Sequence, residues 1–170
     1  MKYFAIFICL AFATLNAQSD YYSEGFEVTK QDIELNVYDK DSTANALIIY
    51  EKGKSYVDRE TFLLNSEIKK KLKILNRNGF DKATQTIYLY GESGTKETIT
   101  DIKATVYNLE NGQVTQTKLD KNSIFEEKYN DKYTIVKFTF PNIKEGSVIV
   151  YSYTLKSPYM FKYKSWYFQE

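Results

Sequence analysis

The chain of 170 residues contains no histidine, one cysteine, one tryptophan and two prolines. Without histidine it has no imidazole base, so Ser-His-Asp and Cys-His catalysis are excluded within these residues. The cysteine, Cys9, lies inside the apolar leader described below. A chain that loses the leader keeps no thiol nucleophile, no disulfide and no Cys/His metal site. Nor is any apolar run long enough to span a bilayer. The longest is about 13 residues, where roughly 20 are needed.

That run belongs to Met1–Ala17, MKYFAIFICLAFATLNA. Lys2 gives a positive start, Tyr3–Leu15 is nearly all apolar, and Ala17 is a small exit residue. This order predicts a secretory signal peptide cleaved after Ala17. Cys9 lacks the small residue before it that a lipid-attachment site needs, so the expected product is released. The predicted location is exported: periplasmic, cell-surface or extracellular. Removing Lys2 leaves 22 basic against 22 acidic side chains. A balanced charge argues against a nucleic-acid partner, since such affinity comes largely from neutralising phosphates. The remaining 153 residues are one domain's length. An exported domain without disulfides has to be held by its core.

Residues 18–29 form a polar lead. Thr29 with Asp32 three positions later resembles a capping box, and Ile33 and Val37 share a helical face. A short helix is predicted over about Lys30–Asn36. Ala46–Tyr50 reads as a strand, Glu51-Lys52-Gly53-Lys54 as a turn, and Ser55–Val57 as the returning strand. Phe62–Asn76 fits both helical spacing (Leu64, Ile68, Leu72, Leu75) and alternation (Ile68, Leu72, Ile74 against Lys69, Lys71, Lys73). The strand-like flanks favour a long basic strand, ended by Asn78-Gly79. Ile87–Tyr90 is a short strand and Gly91–Gly94 a loop.

From Thr98 onward the pattern is plain. Ile102, Ala104 and Val106 alternate with polar residues. Asn111-Gly112 is a preferred hairpin centre, and Val114–Leu119 returns as a mostly polar strand near an edge. Ile124–Tyr129 and Tyr133–Phe140 flank Asn130-Asp131, with Val136, Phe138 and Phe140 on one face. Gly146 releases the longest strand, in which Ile149, Tyr151, Tyr153 and Leu155 share a face, and Pro158 ends it. Many strands between short turn signals predict an all-β sandwich or barrel.

The motifs have weak chemistry. Lys69, Lys70, Lys71, Lys73 and Arg77 could attract an acidic glycan, but a solvated strand face or a lysine-guarded edge is the favoured reading. Asp39-Lys40-Asp41-Ser42 lacks the further carboxylates and glycine of a calcium loop and reads as turn chemistry. Glu126 and Glu127 are adjacent on a strand and point to opposite faces. No catalytic, cofactor-binding or metal-binding residue is assigned. Tyr159, Phe161, Tyr163, Trp166, Tyr167 and Phe168 could offer rings to a sugar, but core or inter-domain packing is the favoured use of such area.

Taken together, IKATVYNLENGQV, KLDKNSIFEE, FTFPNIKEGSVIVYSYTLKSP and WYFQE resemble the all-β N-terminal domain of unknown function that precedes a transglutaminase-like domain in secreted bacterial proteins. DKDSTANALIIYEKG and KKKLKILNRNGFD resemble it too. Pro141, Gly146, Pro158 and Trp166–Gln169 fall in that family's order, over roughly Lys30–Glu170. The resemblance implies an immunoglobulin-like β-sandwich with one short N-terminal helix over 30–170, truncated at its C-terminal end. It also implies a downstream papain-like domain carrying any catalytic residues. Tyr163, Trp166, Tyr167 and Phe168 are then the expected inter-domain contacts. The implied role is a non-catalytic accessory domain whose partner is that transglutaminase-like domain. The alternative is a free-standing cell-surface module for a glycan or peptide.

Overall fold

The computed structural model describes residues 25–160 and 163–165. The leader, the first residues of the polar lead, and Trp166–Phe168 lie outside them. The described residues form a short α-helix, α1 (Lys30–Glu34), and nine strands: β1 (Ala46–Val57), β2 (Leu64–Ile74), β3 (Thr84–Glu92), β4 (Thr95–Lys96), β5 (Thr98–Glu110), β6 (Gln113–Lys118), β7 (Ile124–Lys128), β8 (Tyr133–Thr139) and β9 (Val148–Ser157). They make two antiparallel sheets, ordered β1-β2-β9-β5-β6 and β4-β3-β8-β7. The fold is an all-β sandwich with one short helix.

Alternation decides which face meets which. Leu72, Ile74, Ala104, Val106, Ile149, Tyr151 and Leu155 from the first sheet close on Leu89, Val136, Phe138 and Phe140 from the second. Each fully buried aliphatic or aromatic side chain here contributes about 1.5–3 kcal/mol relative to exposure. The Asn111-Gly112 turn has positive φ at both residues, 51° and 77°. That geometry twists with the flanking strands and suits Asn-Gly. Asn130 closes the β7–β8 hairpin by accepting from the backbone of Lys132 and Tyr133, both at 2.9 Å.

Several expectations are corrected. Glu51–Lys54 is not a turn. β1 runs unbroken through it, with Gly53 opposite Ile68 and a register shift at Ile48/Tyr50. Pairing along the whole of β2 overrides glycine's poor strand propensity. The loop expected over Gly91–Gly94 shrinks to a turn at Ser93-Gly94, since β3 continues to Glu92 and pairs there with β4. The helix stops at Glu34; Ile33 is buried, whereas Val37 lies past the end and is exposed.

The largest correction concerns the basic strand. β2 is not an edge; it lies between β1 and β9. Nor is its lysine face solvated throughout. The side chains of Lys71 and Lys73 have no exposed surface. They point to the outer face of the five-stranded sheet, where residues 26–35 cross over them. Lys71 Nζ donates to Asp32 Oδ2 at 3.0 Å and to the Glu27 carbonyl at 3.0 Å. Lys73 Nζ donates to the carbonyls of Ile33 (2.8 Å) and Gly146 (2.6 Å). The capping box predicted from Thr29 and Asp32 is formed, and the same Asp32 Oδ2 accepts from the Thr29 backbone at 2.8 Å. A five-residue helix is far too short to persist alone. It is held by the lysines beneath it.

Removing one partner of a buried pair strands the other charge. Asp32→Ala is expected to destabilise the fold by about 3–5 kcal/mol, while Asp32→Leu combined with Lys71→Met, which strands neither member of the pair, is expected to lose clearly less, with the lost helix cap and the Glu27 carbonyl accounting for what remains. Urea unfolding of the three proteins checks this. Equal losses for the single and double variants would contradict the buried-pair account.

Candidate functional site

Three features outside the core have the geometry of a site. The first is a groove of about 520 Å³ on the outer face of the five-stranded sheet. Lys52, Lys54, Lys69 and Lys103 line it with Glu67, Asp101 and Phe26. The Lys69 ammonium sits 4.2 Å from the Phe26 ring centre. Of the sequence's basic cluster only Lys69 reaches this groove. Lys71 and Lys73 are buried, Lys70 faces inward, and Arg77 pairs with Glu145 at 2.8 Å on the surface.

The second is a cleft of about 310 Å³ between the sheets. One wall is the inner face of β1, β2 and β9, with Glu51, Ser55, Ser66, Ile68, Lys70, Tyr153 and Leu155. The other is β3, with Thr86, Ile87 and Tyr88; Lys164 and Ser165 also line it. Glu51 and Lys70 form an ion pair at 2.7 Å, and Glu51's side chain is only 6% exposed. Burial pushes the Tyr153 phenol up to about 12, with the Glu51 charge adding to the effect. The Ser55 and Ser66 hydroxyls bond each other at 2.8 Å. Each hydroxyl therefore has a second hydroxyl as its partner, which supplies no base to activate it.

The third is a row of tyrosines on the outer face of the four-stranded sheet. Tyr129, Tyr88, Tyr133, Tyr90 and Tyr159 meet edge to face, with centroid separations of 5.4, 6.4, 5.5 and 5.1 Å. Of this row the sequence pointed only to Tyr159, among the C-terminal aromatics, and missed the other four. Its signal, Tyr88 and Tyr90 two apart on one strand, becomes legible only once β3 is paired with β8. Tyr90 donates to Glu92 Oε2 at 2.6 Å, and the carboxylate beside it holds the phenol up at about 12.

The segment after β9 is fastened along this side by polar contacts. The Tyr159 hydroxyl donates to the Thr95 carbonyl (2.8 Å) and accepts from the Glu92 backbone (3.0 Å). Lys164 donates to the Tyr88 carbonyl and pairs at 2.7 Å with Glu97, whose carboxylate is buried and also accepts from the Tyr90 backbone. Of the four residues expected to contact a neighbouring domain, Tyr163 is 65% exposed. Trp166, Tyr167 and Phe168 lie outside the described residues.

The remaining candidates are structural. Asp41 accepts from both the backbone and the hydroxyl of Thr43 (2.9 and 2.7 Å), an ordinary turn that holds its carboxyl below the usual range. Glu126 pairs with Lys96 at 3.1 Å, whereas Glu127 falls on the other face, opposite Ile135. Among the described residues no group of three or more acidic, His or Cys side chains could hold a metal. No helix among them is long and apolar enough to cross a membrane.

The family described as "Domain of Unknown Function with solved-structure structure (DUF3857)" matches residues 64–170. The chain belongs to the DUF3857 family. The match opens at the first residue of β2, so Lys71 and Lys73 fall within it while β1, α1 and Asp32 precede it. A crystal structure of a "putative protease" from Parabacteroides distasonis is similar at 11% identity and a TM-score of 0.42, over 56% of this chain. The match spans 20% of that protein's length. No curated protein matches.

Within this DUF3857 domain Lys73 is the cation with the clearest electrostatic signature. Burial lowers its pKa from 10.5 to about 8, against a smaller opposing pull from Asp32. Between those two values the unfolded chain still holds the Lys73 proton while the folded chain has begun to release it. This residue's contribution to stability therefore rises with pH across that window. Lys73→Met removes the effect. The stability difference between wild type and Lys73→Met is expected to move in favour of wild type as pH rises from 8 to 10.5, measured by urea unfolding at each pH. A difference that stays constant would contradict the assignment.

Proposed function

We propose that this domain is a non-catalytic accessory unit of an exported transglutaminase-like protein, packing against or positioning the domain that follows it. The exposed aromatic face of the four-stranded sheet carries the reading. Tyr88 is 45% exposed, Phe125 64% and Tyr129 60%. Surface aromatic area grouped in this way marks an interaction site. The polar groups nearby are committed to fastening the C-terminal segment, as Glu97 with Lys164 shows. Export rests on the leader, Met1–Ala17.

The alternative is a free-standing cell-surface module for a glycan or peptide, and its glycan form draws less support. A sugar ring stacks on an open aromatic face, but Tyr88 and Tyr129 meet at an interplanar angle of 83°. That arrangement presents edges and faces in turn, not one flat platform.

The test is to read the coding sequence past codon 170, express what it encodes, and measure its association with this chain. We expect a complex that Tyr88→Ala with Tyr129→Ala weakens at least tenfold, as loss of aromatic anchors does, with the chain still folded and its melting temperature lowered only as far as the lost Tyr88–Tyr133 ring contact accounts for. A stop codon directly after Glu170, unchanged association, or substrate turnover by the purified chain that one point change abolishes would each refute the reading.

A further inference from the structure

The inter-sheet cleft holds an unsatisfied acceptor. Glu51 Oε1 takes Lys70, but Glu51 Oε2 is buried and has no hydrogen-bond partner. A buried carboxylate oxygen without a donor is costly, and native structures rarely leave one so. The terminal torsion of glutamate is broad, so a modest turn presents this oxygen to the cleft that its side chain lines. Beside it, Lys70 spends one donor on Glu51 and remains partly exposed to the same space. The walls around the pair are largely apolar, from Ile68, Ile87 and Leu155. A volume of about 310 Å³ is that of a small-ligand pocket.

We propose that this cleft binds an uncharged carboxamide carried on an apolar stem, its N–H donating to Glu51 Oε2 and its carbonyl accepting from Lys70 Nζ. An amide holds a donor and an acceptor side by side on one carbon, as the ion pair holds its acceptor and donor. An ammonium ligand would meet Lys70 and Lys164; a carboxylate ligand would meet Glu51. An apolar stem matches the isoleucine and leucine walls, which a polyhydroxylated ring would leave facing hydroxyls. Tyr88 borders both this cleft and the tyrosine row, but Glu51 and Lys70 belong to the cleft alone, so a variant at those two positions tests the cleft without touching the row that carries the accessory role.

The test is a titration of the ¹⁵N-labelled chain with isobutyramide, isobutyrate and isobutylamine, followed by two-dimensional NMR. The expected result is saturable shifts of the Ser55, Ile68 and Ile87 amides with isobutyramide, and at least tenfold weaker responses to both charged analogues. In Glu51→Leu with Lys70→Leu, which strands neither charge, the isobutyramide response is expected to vanish. No saturable shift with isobutyramide, or equal shifts with all three probes, would overturn the proposal. Should the double variant fail to fold, the three-probe series on the wild-type chain decides the question.

Discussion

Two ammonium groups buried on the outer face of a sheet set the terms for the rest of this fold. Taking Lys71 and Lys73 out of water costs several kcal/mol each unless partners replace the lost hydration. The partners come from far along the chain: Asp32, the carbonyls of Glu27 and Ile33, and the carbonyl of Gly146. The N-terminal segment is thereby tied to the middle of a sheet whose strands it does not join. The loop before β9 is tied as well. Gly146, at a φ of 84°, is placed by Ser147, whose buried hydroxyl accepts from the Lys144 backbone and donates to Asn108. The same lysines that look like a solvated stripe in the sequence act as the fasteners of a second layer.

This division of labour leaves the functional surfaces elsewhere. One sheet spends its outer face on the N-terminal segment and on the lysine-lined groove beside it. The other presents tyrosines, some sealed by Tyr159 and some open. Between the sheets, where the core gives way to the cleft, a second ion pair is left half-satisfied. Ionisable groups in the interior thus fall into two kinds. Asp32, Lys71, Lys73 and Glu97 hold segments in place. Glu51 and Lys70 face a space large enough to receive something.

How much of this could be read from residues alone depended on the range of the interactions. β5 through β9 were legible because alternation and turn chemistry are local: Asn111-Gly112 specifies its own hairpin, and Val136, Phe138 and Phe140 mark their own face. The capping box was legible for the same reason. β1 was misread because Gly53 within Glu51–Lys54 mimics a turn, and only pairing with β2 says otherwise. The burial of Lys71 and Lys73 was not legible at all. Asp32 lies 39 positions from Lys71, and backbone carbonyls, which supply most of the remaining partners, leave no trace in composition. Glu51's orphaned oxygen is invisible for the same reason, since it exists only where two sheets fail to close. Of the expected contact residues, Tyr163 alone could be placed, and it is exposed.

The central claim is that the buried lysines, not helix propensity, hold residues 26–35 on the sheet. Native-state hydrogen exchange tests it most directly. The Ile33 and Leu35 amides bond to the Thr29 and Gln31 carbonyls inside α1, and in a helix this short they would exchange almost freely if the segment were loose. The account predicts that they exchange with the same opening free energy as the core amides of β2 and β9. Fast exchange at Ile33 and Leu35 while β2 and β9 remain protected would contradict it.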